Sequence, residues 1–271
     1  MDDNNNNGSG IILFISVLSG TITIADFIWR LVEKHIFEMS LISIIGIIVF
    51  VLSLFIYFLK KFPTFRYYII KNLRYCFHFS EAYEILNKTS EYIIIDLTRM
   101  EHIKTQKIKS KVSQLCTFDD KFNWSKPQDE SELSSMMQSI ECEPANSHLS
   151  TSRVENWVKY TVKLCNNLGK GDTEEIKVSI KNLSDPNQKS LPFLSGNTIV
   201  KTKELTLRVI FKDPSINPKN ACYKIFSNYA SEYPIITKKL ESKVNPDNSK
   251  VLSYTESKPI PGYRYVIYWT Y

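Results

Sequence analysis

The hydrophobic positions of this chain change period once. Between Gly10 and Leu59 they form two near-continuous runs, and beyond about Tyr92 they alternate with polar residues. Ile11 to Trp29 holds one ionisable residue, Asp26, and Leu41 to Leu59 holds none. Each run is about 19 residues, close to the ~20 a helix needs to cross ~30 Å of hydrocarbon. Each Leu, Ile, Phe or Val near the centre of such a helix favours insertion by roughly 0.3–0.6 kcal/mol. The pattern therefore predicts a two-helix transmembrane hairpin over residues 10–59. A cleaved signal peptide is the competing reading of the first run. Met1-Asp2-Asp3 and four Asn stand where its basic start belongs, and no small-residue cleavage site follows.

Lys and Arg near the span ends set the orientation. Lys60, Lys61, Arg66, Lys71 and Arg74 follow the second run before any acid, whereas Arg30 and Lys34 in the connecting loop have Glu33 and Glu38 beside them. This predicts a multi-pass protein of the inner membrane with both termini cytoplasmic. Residues 1–9 read as a polar tail expected to be disordered, and residues 60–80 as a basic, aromatic connector, helical or extended. Gly20, with Ser16 and Ser19, offers a close-packing surface for a homo-oligomer in the bilayer. Asp26 precedes Arg30 by the i,i+4 spacing of a helical salt bridge. The alternative for Asp26 is a polar contact between protomers.

Residues 81–271 carry the period of two. Tyr92 to Leu97 is a β-branched run, and Lys107, Lys109 and Lys111 alternate with Ile108, Ser110 and Val112. Phe118 to Trp124 is a further strand candidate. Val158 to Leu164 and Ile176 to Ile180 alternate on either side of Gly169-Lys170-Gly171-Asp172, which predicts a hairpin. Leu205 to Phe211, Cys222 to Phe226, Val251 to Thr255 and Tyr263 to Trp269 complete the set, while Asn228 to Leu240 could be helical. Many short strands at about ten-residue spacing indicate an antiparallel sandwich or barrel, with a possible subdomain boundary near 150. The fold class is thus a membrane protein: a two-helix transmembrane hairpin followed by a mainly-β cytoplasmic region.

Composition narrows the chemistry. The formal charge of +6 is modest, and part of it is the cluster after residue 60. Five dispersed cysteines without metal-like spacing fit reduced thiols. There is no G-x-S-x-G, no phosphate-loop motif and no H-E-x-x-H, and the four histidines are isolated. Glu101-His102 is an adjacent pair whose side chains would diverge on a strand. Asp119-Asp120 reads as a solvated turn. No catalytic residue, metal site or cofactor is assigned, and the chain is not read as an enzyme.

The lysine alternation is the remaining lead. Lys107, Lys109 and Lys111 share a strand face, as do Lys159 and Lys163, and Lys177 and Lys181. Neighbouring strands would merge these faces into a basic patch for phosphates or lipid headgroups, or they are the ordinary solvated side of a half-buried sheet. Trp124, Trp157, Trp269, Tyr263 and Tyr265 could stack a base or fill the core.

Two N-terminal spans followed by a β-rich cytoplasmic domain resemble the two-transmembrane effectors of bacterial cyclic-oligonucleotide anti-phage systems. The resemblance lies in the layout of the whole chain, and no binding residue carries over. It implies a β domain that senses a nucleotide second messenger and spans that oligomerise to disrupt the membrane. The expected partners are the lipid bilayer, further copies of the chain and a small nucleotide, with no nucleic acid. The alternative is a membrane-tethered protein-interaction module without pore activity.

Overall fold

A computed structural model describes Trp29 and residues 41–77, 82–123, 140–144, 148–154, 157–184, 192–228 and 230–271. The chain divides between Phe62 and Pro63 into two units.

The first unit contains helix α1, Leu41–Lys61. This is the second expected span, and the expectation does not hold. The part of it with described side chains, Gly46–Lys61, covers about 24 Å at ~1.5 Å per residue. A span has to cross ~30 Å of hydrocarbon, and this one ends on Lys60 and Lys61. Among the described residues no single helix is long and apolar enough to cross a membrane. The two-span membrane-protein class is corrected accordingly, and so is the multi-pass inner-membrane location with both termini cytoplasmic. Of the first expected span only Trp29 is described; Gly20, Asp26 and Arg30 lie outside the described residues.

The second unit is mostly β-sheet. It opens with helix α2, Pro63–Phe77, whose first position suits Pro because the missing N–H would have no helical partner there. Fourteen strands follow among the described residues: β1 Tyr83–Ile94, β2 Arg99–Ser110, β3 Leu115–Asn123, β4 Ile140–Glu143, β5 His148–Val154, β6 Trp157–Leu168 and β7 Thr173–Ser184, then β8 Phe193–Asn197, β9 Thr202–Phe211, β10 Lys219–Phe226, β11 Ile236–Lys239, β12 Lys243–Val244, β13 Lys250–Ser257 and β14 Arg264–Thr270. They form a seven-stranded sheet, β12-β13-β9-β1-β2-β7-β4, a four-stranded sheet, β11-β10-β14-β8, and a three-stranded sheet, β3-β6-β5. Every pairing is antiparallel except β1 with β9.

Alternation decides which side each strand buries. On the large sheet Ile94, Ile108, Leu205, Leu207, Val209, Phe211 and Leu252 point inward and are fully buried. Both small sheets pack on that same inner face. From the four-stranded sheet, Trp269 meets Phe211 edge-on at 5.6 Å, Tyr223 stacks on Tyr254 at 3.8 Å, and Gly196 approaches β9 so closely that a Cβ would lie 2.6 Å from Leu207 Cδ2. From the three-stranded sheet, Phe122 packs against the His102 ring at 4.9 Å. The outer faces of the small sheets therefore look the same way, opposite to the outer face of the large one.

The hairpin expected over Gly169–Asp172 is not formed. β6 pairs with β3 and β5, whereas β7 pairs with β2 and β4. The turn has Gly171 at φ 96°, and its outward hydrogen bonds go to the end of β2: Gly171 N–H donates to Ser110 O and Ser110 N–H to Asp172 O, each at 2.9 Å. The chain thus turns a corner from one layer to the other.

Helix α2 seats one face on this unit. Tyr67 is buried beside Tyr263, Lys71 pairs with the nearly buried Glu256, and Lys201 and Lys258 lie over the Tyr75 ring at 4.7 and 5.5 Å. Burial, then Tyr265 and Glu256, hold the Tyr67 hydroxyl far above the usual phenol range.

Candidate functional site

A buried cluster of charge lies between the large and three-stranded sheets. Lys88 on β1 and Lys104 and Gln106 on β2 point inward by the same alternation that buries Ile108. Opposite them the pleat of β3 sends Asp119 out and Asp120 in. Asp120 Oδ2 accepts from Lys88 Nζ at 3.0 Å, Gln106 Nε2 at 2.8 Å, the Tyr160 hydroxyl at 3.2 Å and Lys104 Nζ at 3.5 Å. Lys104 also donates to Lys121 O and lies 4.6 Å from the Phe122 ring centre. Ser90 Oγ and His102 Nε2 are 2.9 Å apart beside it.

Burial and the charges compete here. Burial would raise the Asp120 carboxyl, but Lys104 and Lys88 hold it well below the usual carboxylate range. Burial, with Lys88 adding repulsion, takes Lys104 down to about 8 despite Asp120. Burial and then Lys104 take His102 down to about 3. The cations are engaged with protein groups, so the cluster joins two sheets. Such buried networks fix one arrangement of a core.

Lysines predicted from sequence fall on two opposite sides. Lys107 and Lys109 share the outer face of the large sheet, where Lys107 stands opposite Glu175. Lys111, just past β2, is 3.7 Å from Glu84, Lys177 is 3.0 Å from Glu143, and Lys181 is 2.5 Å from Glu141. That face alternates in sign. Lys159 and Lys163 lie instead on the outer face of the three-stranded sheet, and neither forms an ion pair among the described residues. Trp269, Tyr263 and Tyr265 are core residues. Trp124 and the side chain of Trp157 lie outside the described set.

The four-stranded sheet holds the charge that sequence reasoning missed. Its strands contain Lys219, Lys224, Lys238, Lys239 and Arg264 and no Asp or Glu. Strand register places Lys219, Lys224, Lys239 and Arg264 on the outer face. Tyr268 and Phe193 are on that face too, in register, with ring centres 6.0 Å apart. Lys224 Nζ sits 4.8 Å from the Tyr268 ring centre, and the Arg264 guanidinium carbon is 4.3 Å from that of the buried Phe226. Arg264 Nη2 donates to Ser231 O at 3.1 Å, while its buried Nε has no partner among the described residues. The available signal was the in-out alternation of β14: with Tyr265, Ile267 and Trp269 inside, Tyr268 has to face out.

No family model matches the chain, and no curated protein matches it. Among solved structures, the M1 zinc metallopeptidase from Deinococcus radiodurans is 10% identical, with a TM-score of 0.38 over 70% of this chain and 43% of that one. A mutant of that enzyme bound to a Tyr-Ser-Ala substrate is 11% identical, with a TM-score of 0.39 over 69% and 42%. This chain thus spans less than half the length of these two, and a likeness of this size carries no argument about activity.

Proposed function

We propose that the chain is a non-catalytic sensor whose β-rich unit binds a nucleotide on the outer face of its four-stranded sheet. The observation behind this reading is that the strands of this sheet hold no acid and place four cations and the Tyr268–Phe193 aromatic pair on one face. Phosphates need cations, and bases need an aromatic face. The resting contacts favour exchange. A cation over a partly buried ring such as Tyr268 contributes roughly 0.5–2 kcal/mol, whereas a base stacked on an aromatic contributes ~1–3 kcal/mol. A base can therefore displace Lys224 from Tyr268, and the freed ammonium can meet the phosphate. Arg264, seated on Phe226, presents a guanidinium suited to bidentate phosphate contacts.

Of the effector role expected from the layout, this reading keeps the sensing of a nucleotide signal in anti-phage defence. It leaves out membrane disruption, for which the described helices supply no span.

Calorimetry with cyclic dinucleotides and nucleoside triphosphates tests it. Binding is expected, with a loss of tenfold or more on Tyr268→Ala and on Lys224→Glu while circular dichroism stays native. Unchanged affinity in both variants would move the site elsewhere, and no binding by any nucleotide would end the reading.

A further inference from the structure

The three-stranded sheet carries a second basic face on the same side of the unit. Lys121 and Lys159 are direct register partners, and Lys163 follows one pleat repeat along β6. Among the described residues the one acid of that outer face, Asp119, accepts from the Thr161 hydroxyl at 2.5 Å. Ser150 and Ser152 of β5 are in register with Thr161 and Lys159, so hydroxyl-bearing residues stand beside the lysines. The large sheet handles lysine differently, placing acids across from Lys107, Lys177 and Lys181.

Resting on the nucleotide reading above, we infer that the ligand is a single-stranded nucleic acid, with bases on the four-stranded sheet and phosphates continuing onto Lys159 and Lys163. Because both small sheets pack on one face of the large sheet, a strand can cross from one to the other without turning around the molecule. A lone nucleotide would leave the second face unused. A duplex would hide the bases that the Tyr268 platform needs. The inference goes past the sequence expectation of a small nucleotide and no nucleic acid.

The test measures affinity against salt for the full chain. One probe is a labelled oligothymidylate of roughly a dozen nucleotides, within the ~4–16 that comparable sheet surfaces cover, and the other is thymidine triphosphate. Each phosphate contact adds about 0.7 to the magnitude of the log–log salt slope for a single strand. Lys159→Ala/Lys163→Ala should reduce that slope by about 1.4 for the oligonucleotide and leave triphosphate binding unchanged. Tyr268→Ala should weaken both ligands, and Lys177→Ala/Lys181→Ala, on the opposite side, neither. If the oligonucleotide binds no tighter than the triphosphate, or the Lys159/Lys163 variant keeps the full slope, the extended strand is wrong and the nucleotide reading stands. If neither probe binds, both are wrong.

Discussion

Asp120 receives four donors on one carboxylate oxygen, two of them ammonium groups. Removing one partner of a buried pair leaves a charge without compensation, which costs ~3–5 kcal/mol. Asp120→Ala should lower stability by about that much in urea unfolding, whereas Asp120→Leu combined with Lys88→Met and Lys104→Met should recover most of it. A triple variant as unstable as the single one would show that packing, not charge, sets the loss. His102 gives a separate acid signature. The unfolded chain takes up its proton near 6.5 and the folded one only near 3. Between those values the unfolded state binds more protons, so stability falls as pH falls through that window, by at most ~1.4 kcal/mol per pH unit. The depressed Asp120 carboxyl adds a further loss below about 3.8. His102→Gln should flatten the unfolding profile between pH 6.5 and 4, which chemical denaturation would read directly. At this scale the sequence was partly legible. Asp119-Asp120 reads from sequence as a solvated turn, whereas both lie in β3 and Asp120 is buried; nothing local says which of two adjacent carboxylates a pleat will bury, or that its cations lie on β1 and β2.

Among the elements, strands were legible and their partners were not. Leu205–Phe211 and Tyr263–Trp269 announce themselves by alternation, and both are strands with the expected inner residues. β6 and β7 have equally clear alternation around a Gly-containing turn, yet they belong to different sheets. Alternation reports which side of a strand is buried, not what it is buried against. Seating of the four-stranded sheet depends on Gly196, where a larger side chain meets Leu207. Gly196→Val should cost ~1–3 kcal/mol by overpacking, visible as a lower urea midpoint, and an unchanged midpoint would mean that β8 stands off β9. Helix α2 is held through Lys71 and Glu256, whose side chains are 12% and 9% exposed. Lys71→Met should destabilise the unit by up to ~3 kcal/mol because Glu256 is left buried without its cation. Glu256→Gln on the same background should recover part of that loss.

Across the β-rich unit the charge is sided. One side offers alternating lysines and glutamates, the other two basic faces, one of them with outward aromatics. The exposed pairs Lys177–Glu143 and Lys181–Glu141 should contribute little, ~0–1 kcal/mol each, so Lys177→Ala/Lys181→Ala is expected to leave the urea midpoint nearly unchanged. A large drop would mean that these pairs anchor β4. The sidedness was hidden from the sequence because +6 is a sum, and a sum does not say which lysines face glutamates. The apolar runs misled in the opposite direction: length and hydropathy favoured two spans, while the described helices supply none.

The parallel pairing of β1 with β9 also sets an order of events in synthesis. Ile85 and Thr202, the first partners in that pairing, are separated by 117 positions, 202 minus 85. β1 is a central strand of the large sheet, flanked by β2 and β9. A ribosome adding ~5–20 residues per second has to continue for several seconds beyond β2 before β9 exists. Through that interval one edge of β1 is unpaired, and Tyr92 and Ile94 have neither Trp269 nor Phe211 to cover them. Exposed edges of this kind recruit other strands. The growing chain is therefore most vulnerable to self-association while its last quarter is still unmade, and a holding chaperone acting at that stage would raise the yield of folded protein more than one acting after release.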